Sequence, residues 1–160
     1  MRRYPLSQGF SVIEIMVASA IIITLTAAVA GAWQLYFKVA RQSADNTQSS
    51  ILTEEAGEVL QILRDTSWNS QIATLTNGTT YYIQWNGTAY SLTTTPQTEQ
   101  NSYVRTIVFS QIQRDTNANI VSSGGSVDAN SRKVTIAISN VGGATPILTT
   151  EMLLHNIYKN

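Results

Sequence analysis

The hydrophobic and polar positions divide the start of the chain into distinct zones. A short polar stretch that carries Arg2 and Arg3 precedes Phe10 to Trp33, which is apolar except for Glu14 and a few Ser and Thr residues. Ile15 to Trp33 contains no charge, and as a helix it would span roughly 28 Å, close to the ~30 Å hydrocarbon thickness of a bilayer. The pattern therefore predicts a helix that can cross a membrane.

A helical period returns after the apolar run. Apolar residues three and four positions apart are typical of a helix with one buried face; here they are Leu52, Ala56, Val59, Leu60 and Leu63. Residues 41–50 between the two patterns are polar, and they are compatible with either a solvated helical segment or a hinge. We predict one helix from about Phe10 to about Arg64, whose outer half, residues 34–64, packs on a sheet.

Alternation replaces the helical period after Asp65. Asn86-Gly87 between two alternating runs predicts a β-hairpin, in which Tyr81, Ile83 and Trp85 would share a face. The predicted strands are Thr79–Trp85, Thr88–Thr94, Tyr103–Gln113, Arg132–Val141 and Pro146–Ile157, the last of which could instead contain a short helix. Residues 95–102 and 115–131 read as polar loops. The expected class is α+β, with a small antiparallel sheet in a globular head of residues 65–160.

Composition narrows the possible functions. The chain has 160 residues, equal numbers of acidic and basic side chains, no cysteine and one histidine. Disulfides, thiolate metal sites and sites that need two histidines are therefore excluded. Without a basic run, nucleic-acid binding is not indicated. We expect no cofactor.

Polar motifs of the predicted head each have an ordinary structural explanation beside a functional one. Asp115, Asn117 and Asn119 alternate as in a calcium loop, and Asp128 offers a second carboxylate, but Asp, Asn, Ser and Gly are also common in turns. The triplets that begin at Asn77 and Asn86 match the N-glycosylation pattern and equally match turns. His155 lies among apolar neighbours, which favours a structural role over a catalytic one.

Glu14 is the unusual residue of the apolar run. A carboxylate in such a segment costs a few kcal/mol in a membrane, and residues of this kind usually have a functional partner. A cleaved signal peptide and an uncleaved signal anchor both fit the basic start and the small residues near the end of the run. Neither explains Glu14.

The stretch from Gly9 to Glu14, Gly-Phe-Ser-Val-Ile-Glu, resembles the processing motif of type IV prepilins and type II secretion pseudopilins. The resemblance implies a leader of residues 1–9, cleavage by prepilin peptidase between Gly9 and Phe10, and N-methylation of Phe10. It implies a filament-core helix over residues 10–33. It covers residues 2–33, and it departs from many members of the family at Gln8, where a basic residue is common.

The resemblance also offers a partner for Glu14. After cleavage, the amine of Phe10 would lie one helical turn away, about 6 Å along the axis. Glu14 could pair with this amine of its own chain, or with that of a neighbouring subunit, which is the role that the family assigns to the glutamate. The second pairing would set the stagger between helices during filament assembly.

The function implied is structural: a major or minor pilin or a pseudopilin, which is not itself an enzyme. Its partners would be other pilin subunits, prepilin peptidase, the inner-membrane assembly platform and, before assembly, membrane lipid. The precursor would cross the inner membrane once with its head outside the cytoplasm, and the assembled filament would be periplasmic or extracellular. It would serve adhesion, motility, DNA uptake or protein secretion. The alternative is a signal-anchored extracytoplasmic binding module or hydrolase.

Overall fold

A computed structural model describes residues 9–158 of the chain. Its elements are α1 (Val12–Thr66), α2 (Trp68–Gln71), β1 (Thr80–Trp85), β2 (Tyr90–Thr93), β3 (Tyr103–Arg114), β4 (Ile120–Val121), β5 (Ser126–Asn140) and β6 (Leu148–His155). The α+β class is confirmed. The single long helix is also confirmed, because α1 continues without interruption through residues 41–50 and through Gly31.

The chain divides between Ala44 and Asp45 into two compact units. We call them the anchor unit, which ends at Ala44, and the sheet unit, which begins at Asp45. The boundary predicted at residues 9/10 describes processing, that at 33/34 the end of the membrane segment, and that at 64/65 the start of the globular head. All three stay predictions.

The anchor unit is helical from Val12 onward, and it has no buried residue in its described part. Every residue from Gly9 to Ala44 is exposed, including the large apolar side chains of Ile13, Val17, Ile21 and Leu25. A helix that is apolar on all sides requires an apolar environment or a partner. By length and composition, α1 is the one helix within residues 9–158 that could cross a membrane.

The hydrophobic core belongs to the sheet unit. On α1 the predicted inward residues are all buried: Leu52, Ala56, Val59, Leu60 and Leu63. They pack in one cluster with alternate residues of the strands, among them Ile83, Ile107, Phe109, Val134, Ile136, Ile138 and Leu154. Each large apolar side chain buried in this way contributes roughly 1.5–3 kcal/mol relative to an exposed one. Burial of one face of the sheet thus fixes α1 from Leu52 onward.

Antiparallel pairing joins the strands in the order β2-β1-β3-β5-β6. The central strand β3 pairs with β5 along nearly its whole length, with an irregularity between Gln111 and Gln113. β4 pairs with the end of β3. The short helix α2 begins after Ser67, whose side chain accepts a hydrogen bond from the backbone N–H of Ser70, and it places Trp68 in the core.

Three details differ from the sequence prediction. Trp85 shares the strand face of Tyr81 and Ile83, but it is 54% exposed, because it lies beyond the end of the core. The segment 115–131, predicted as a loop, contains β4 and the first residues of β5, which pair with the end of β3. The possible short helix near the carboxyl terminus is instead strand β6, since its backbone pairs with β5 from Ser131 to Ile138.

Candidate functional site

The predicted processing site lies at the free end of α1. Gly9 and Phe10 are exposed and precede the first helical residue, Val12. The Phe10 residue is 82% exposed, and among the described residues other than its chain neighbours, no atom lies within 4 Å of the position that a side chain on Gly9 would occupy. Residues 9–158 therefore leave the Gly9 and Phe10 positions uncovered. The rest of the predicted leader, with Arg2 and Arg3, lies outside the described residues.

Glu14 closes the first turn of α1. Its Oε2 accepts a hydrogen bond of 3.1 Å from the backbone N–H of Ser11. Ser11 immediately precedes the helix and its carbonyl accepts from the N–H of Ile15, so Ser11 holds the N-cap position and Glu14 the third helical position. This is the glutamate half of a capping box, and the carboxylate also faces the positive end of the helix dipole.

Ser11 is the residue of this site that the sequence analysis missed. The signal was present in the Ser-Val-Ile-Glu spacing from Ser11 to Glu14, which matches the Ser/Thr-x-x-Glu capping pattern before an apolar run. The cap gives Glu14 a partner inside its own chain. That partner is a backbone N–H, whereas the partners expected from the sequence were the Phe10 amines of the same chain or of a neighbouring subunit.

Hydroxyl groups within the apolar run are also satisfied locally. The side chain of Ser19 donates to the carbonyl of Ile15 at 2.7 Å, and that of Thr26 donates to the carbonyl of Ile22 at 2.8 Å. Thr24 makes the corresponding bond to Ile21. In an apolar environment an unsatisfied polar group costs several kcal/mol, so these bonds make the run compatible with lipid.

Three aromatic side chains lie at the end of the apolar run and just after it. Trp33 and Phe37 contact edge to face with ring centroids 6.0 Å apart, and Tyr36 and Phe37 do so at 5.8 Å. All three rings are more than half exposed. Trp and Tyr favour the headgroup level of a bilayer, because they combine an apolar ring with a polar tip. Their place after a membrane-length apolar segment agrees with an interfacial position.

The sheet unit brings together a serine, a histidine and an aspartate, but in an order that does not suit catalysis. Ser131 donates to Asp128 Oδ2 at 2.6 Å, and its Oγ lies 2.9 Å from His155 Nδ1. In a hydrolytic triad the serine donates to the histidine and the histidine to the acid. Here the aspartate accepts the hydrogen bond of the serine directly, and Ser131 is completely buried.

Asp128 is the charged centre of this group. Arg114 Nε donates to its Oδ2 at 2.7 Å, and the N–H of Asn130 donates to its Oδ1 at 2.9 Å. The hydrogen bond from Arg114, followed by that from Ser131, lowers the pKa of Asp128 to about 2. The group joins the start of β5 to the ends of β3 and β6, which is a structural task.

The possible calcium loop has the hydrogen bonds of a turn. Asp115 accepts hydrogen bonds from the backbone N–H groups of Asn117 and Asn119 and from the side chain of Asn119. The bond from the Asn119 side chain is the largest cause of the lowered pKa of Asp115. Within residues 9–158, no group of three or more histidine, aspartate or glutamate side chains is placed to hold an ion. The Asn86 carboxamide likewise accepts from the N–H groups of Thr88 and Ala89 inside the hairpin loop.

Comparison with known proteins gave no match among protein-family models, curated proteins or solved structures. The prepilin resemblance therefore rests on the residues of the motif and on the long apolar helix that follows them.

Proposed function

We propose that this chain is the precursor of a structural subunit of a type IV pilus-like or pseudopilus filament. Prepilin peptidase removes residues 1–9, the new amine of Phe10 is methylated, and the apolar helix leaves the inner membrane to enter the filament core. The sheet unit then lies outside the cytoplasm. In this role the protein is a substrate of an enzyme and not an enzyme, and its partners are other pilin subunits and the assembly platform.

The observation that carries the proposal is the arrangement at the start of α1. An exposed Gly9–Phe10 bond is followed within one turn by a carboxylate, and the helix then remains apolar and exposed on all sides to Trp33. Such a helix needs lipid before assembly and neighbouring helices afterwards. Its small residues, including Ala18, Ala27 and Gly31, permit close helix–helix approach.

Cleavage is tested on the mature amino terminus. The protein is purified from its native cells, or from cells that also produce a prepilin peptidase, and its intact mass and terminal peptide are measured. We expect a chain that begins with N-methyl-phenylalanine at residue 10. Gly9→Ala serves as the control, because it changes only the residue before the cut and should leave the precursor uncleaved. An intact Met1, or a terminus near residue 33, would contradict the proposal and favour a signal-anchored binding module or hydrolase.

Assembly is tested with two substitutions of Glu14. Glu14→Ala removes both the charge and the acceptor of the Ser11 N–H, whereas Glu14→Gln retains an acceptor and loses only the charge. If a neighbour's amine pairs with the carboxylate, both variants should be cleaved normally but should assemble poorly. We expect at least about tenfold fewer filaments, because loss of a pairing free energy of ~1.4 kcal/mol lowers an association constant by a factor of ten. Filaments are counted by sedimentation and electron microscopy.

The glutamine variant separates the two roles of Glu14. Normal filament yield from Glu14→Gln, together with a loss in Glu14→Ala, would mean that only the helix cap matters. Normal yield from both variants would remove Glu14 from assembly altogether.

A further inference from the structure

A recess in the sheet unit lies beside the β1–β2 hairpin. It has a volume of about 330 Å³, and its lining includes Glu55 of α1, Trp85 and Tyr90 of the hairpin, and Glu99 and Arg105. This volume is at the lower end of the range for small-ligand sites, ~300–1,000 Å³. The proposed filament role makes no use of these side chains.

A buried arginine organises the polar side of the recess. Only 2% of the Arg105 side chain is exposed. Its Nη1 lies 3.1 Å from the carbonyl of Leu52 and 3.3 Å from Glu55 Oε2, and its Nη2 donates to Glu99 Oε1 at 2.7 Å. Its Nε is buried without a hydrogen-bond partner among the described residues. The guanidinium thus fixes two carboxylates that come from different elements, and it neutralises part of their charge.

The turn before β3 holds Glu99 in position. Gln100 and Asn101 both have positive φ, 51° and 56°, which is unusual for residues other than glycine. Backbone hydrogen bonds between Glu99 and Tyr103 close this turn in both directions, at 2.8 and 3.0 Å. The chain therefore accepts local backbone strain in a turn that presents the Glu99 carboxylate to the recess.

An aromatic pair forms the other side. The Trp85 and Tyr90 rings have centroids 4.7 Å apart at an angle of 51°, and they belong to directly paired residues of β1 and β2. Trp85 is 54% exposed although the alternation of β1 places it on the face of the core. Part of the indole is therefore left open to solvent beside the polar groups of the recess.

We propose that this recess binds a sugar ring of a neutral carbohydrate. One face of a pyranose carries C–H groups, which pack on the electron-rich face of an indole. Its hydroxyl groups donate to carboxylate oxygens, and each of the two glutamates retains lone pairs beyond its bond to Arg105. The amides of Gln84 and Gln97, which also line the recess, supply both donors and acceptors.

The composition of the recess favours a neutral hydroxylated ligand over a cation. A cation would need only acceptors and an aromatic face. The amide groups would then have no role, and the Arg105 guanidinium would repel the ligand. An anion is disfavoured because both carboxylates face the same space. This site lies wholly in the sheet unit, so the proposal does not rest on filament assembly.

The test measures binding to the full chain in micelles of a polyoxyethylene detergent, which has neither a sugar nor an ammonium headgroup. Methyl glycosides of glucose, galactose, mannose and N-acetylglucosamine are titrated by calorimetry and by saturation-transfer NMR, and tetramethylammonium is the cationic probe. We expect at least one glycoside to bind in the millimolar range, about −4 kcal/mol, and more tightly than tetramethylammonium.

Substitutions then locate the site. Trp85→Ala should weaken glycoside binding about tenfold or more, and Trp85→Phe should weaken it less, because a ring remains. Trp33→Ala, which removes an exposed tryptophan of the anchor unit, is the matched control and should leave the affinity unchanged. Near-ultraviolet circular dichroism checks that each variant is folded. Absence of glycoside binding up to about 50 mM, equal affinity of wild type and Trp85→Ala, or tighter binding of tetramethylammonium would each overturn the proposal.

Discussion

Two arginines of the sheet unit show how the surroundings of a charge determine its role. Arg105 occupies an inward position of β3, in alternation with Ile107 and Phe109, where an apolar residue would be expected. A buried charge of this kind is tolerated only with partners, and Leu52 O, Glu55 and Glu99 supply them. Arg114 is 31% exposed, and it pairs with Asp128 at the edge of the unit. The buried Arg105 therefore links strand β3 to helix α1, whereas the partly exposed Arg114 links the end of β3 to the start of β5.

The lowered pKa of Asp128 predicts a pH-dependent stability. Its folded pKa of about 2 lies below the ordinary ~3.9, so the ionised form stabilises the fold above pH ~4, and this contribution is lost as the pH falls toward 2. Asp128→Asn should therefore lower the free energy of unfolding by about 1–2 kcal/mol at pH 7, and the difference from wild type should shrink toward pH 2. Urea denaturation of the full chain in micelles measures both values.

Glu58→Gln is the control for this experiment, because Glu58 is an exposed residue of α1 and its replacement should change stability by less than about 0.5 kcal/mol at either pH. A deficit of Asp128→Asn that is the same at pH 7 and pH 2 would contradict the assigned cause.

Elements with a regular buried face were predicted well. The helix, the β1–β2 hairpin and the inward positions Val134, Ile136 and Ile138 followed from periodicity, because burial of one face imposes the period on the sequence. The first five residues of β5 carry no such period, since none of them is buried. Pairing with the end of β3 makes them a strand, and that partner is distant in sequence. The alternative of a helix at β6 was removed in the same way, by its pairing with β5.

Two glycines give opposite predictions for substitution by alanine. Gly87 in the hairpin loop has φ +94°, a conformation that strains any other residue, so Gly87→Ala should destabilise the fold by about 1 kcal/mol. Gly57 lies in the interior of α1 with open space at its Cβ position, so Gly57→Ala should stabilise it by about 1 kcal/mol. Urea denaturation compares both variants with wild type. Equal signs for the two changes would show that the conformation of the loop, or of the helix, differs from this description.

At the scale of the whole molecule, stability is divided between two environments. Every buried residue among residues 9–158 belongs to the sheet unit, whereas residues 9–44 are exposed throughout. The candidate site at the start of α1 could be located from the sequence because its residues are contiguous, from Gly9 to Glu14. The recess around Arg105 could not, because its side chains come from α1, the hairpin and the turn before β3, and only the fold brings them together.

This division predicts two separate responses to heat. In micelles, heating should abolish the near-ultraviolet circular dichroism of the buried Trp68 and Tyr81 in one cooperative transition. Helical signal from residues 12–33, the predicted membrane segment, should persist, because a backbone in an apolar environment has no other means of satisfying its hydrogen bonds. About two fifths of the helical signal at 222 nm should remain, since 22 of the 55 residues of α1 lie in this segment. Simultaneous loss of both signals would show that the units depend on each other.

The two outer strands of the sheet each leave one edge of backbone groups unpaired within the described part of the chain. Of these two strands, β2 has four residues and β6 has eight, so β6 is the longer row of outward backbone groups in the described part of the chain. Such a row is a template on which another chain can add a strand. On β6, Glu151 forms an exposed ion pair with Lys133, and an incoming apolar strand would have to desolvate these charges. Where many copies of this chain are held close together, we expect the Lys133–Glu151 ion pair to oppose pairing between the β6 edges of neighbouring sheets.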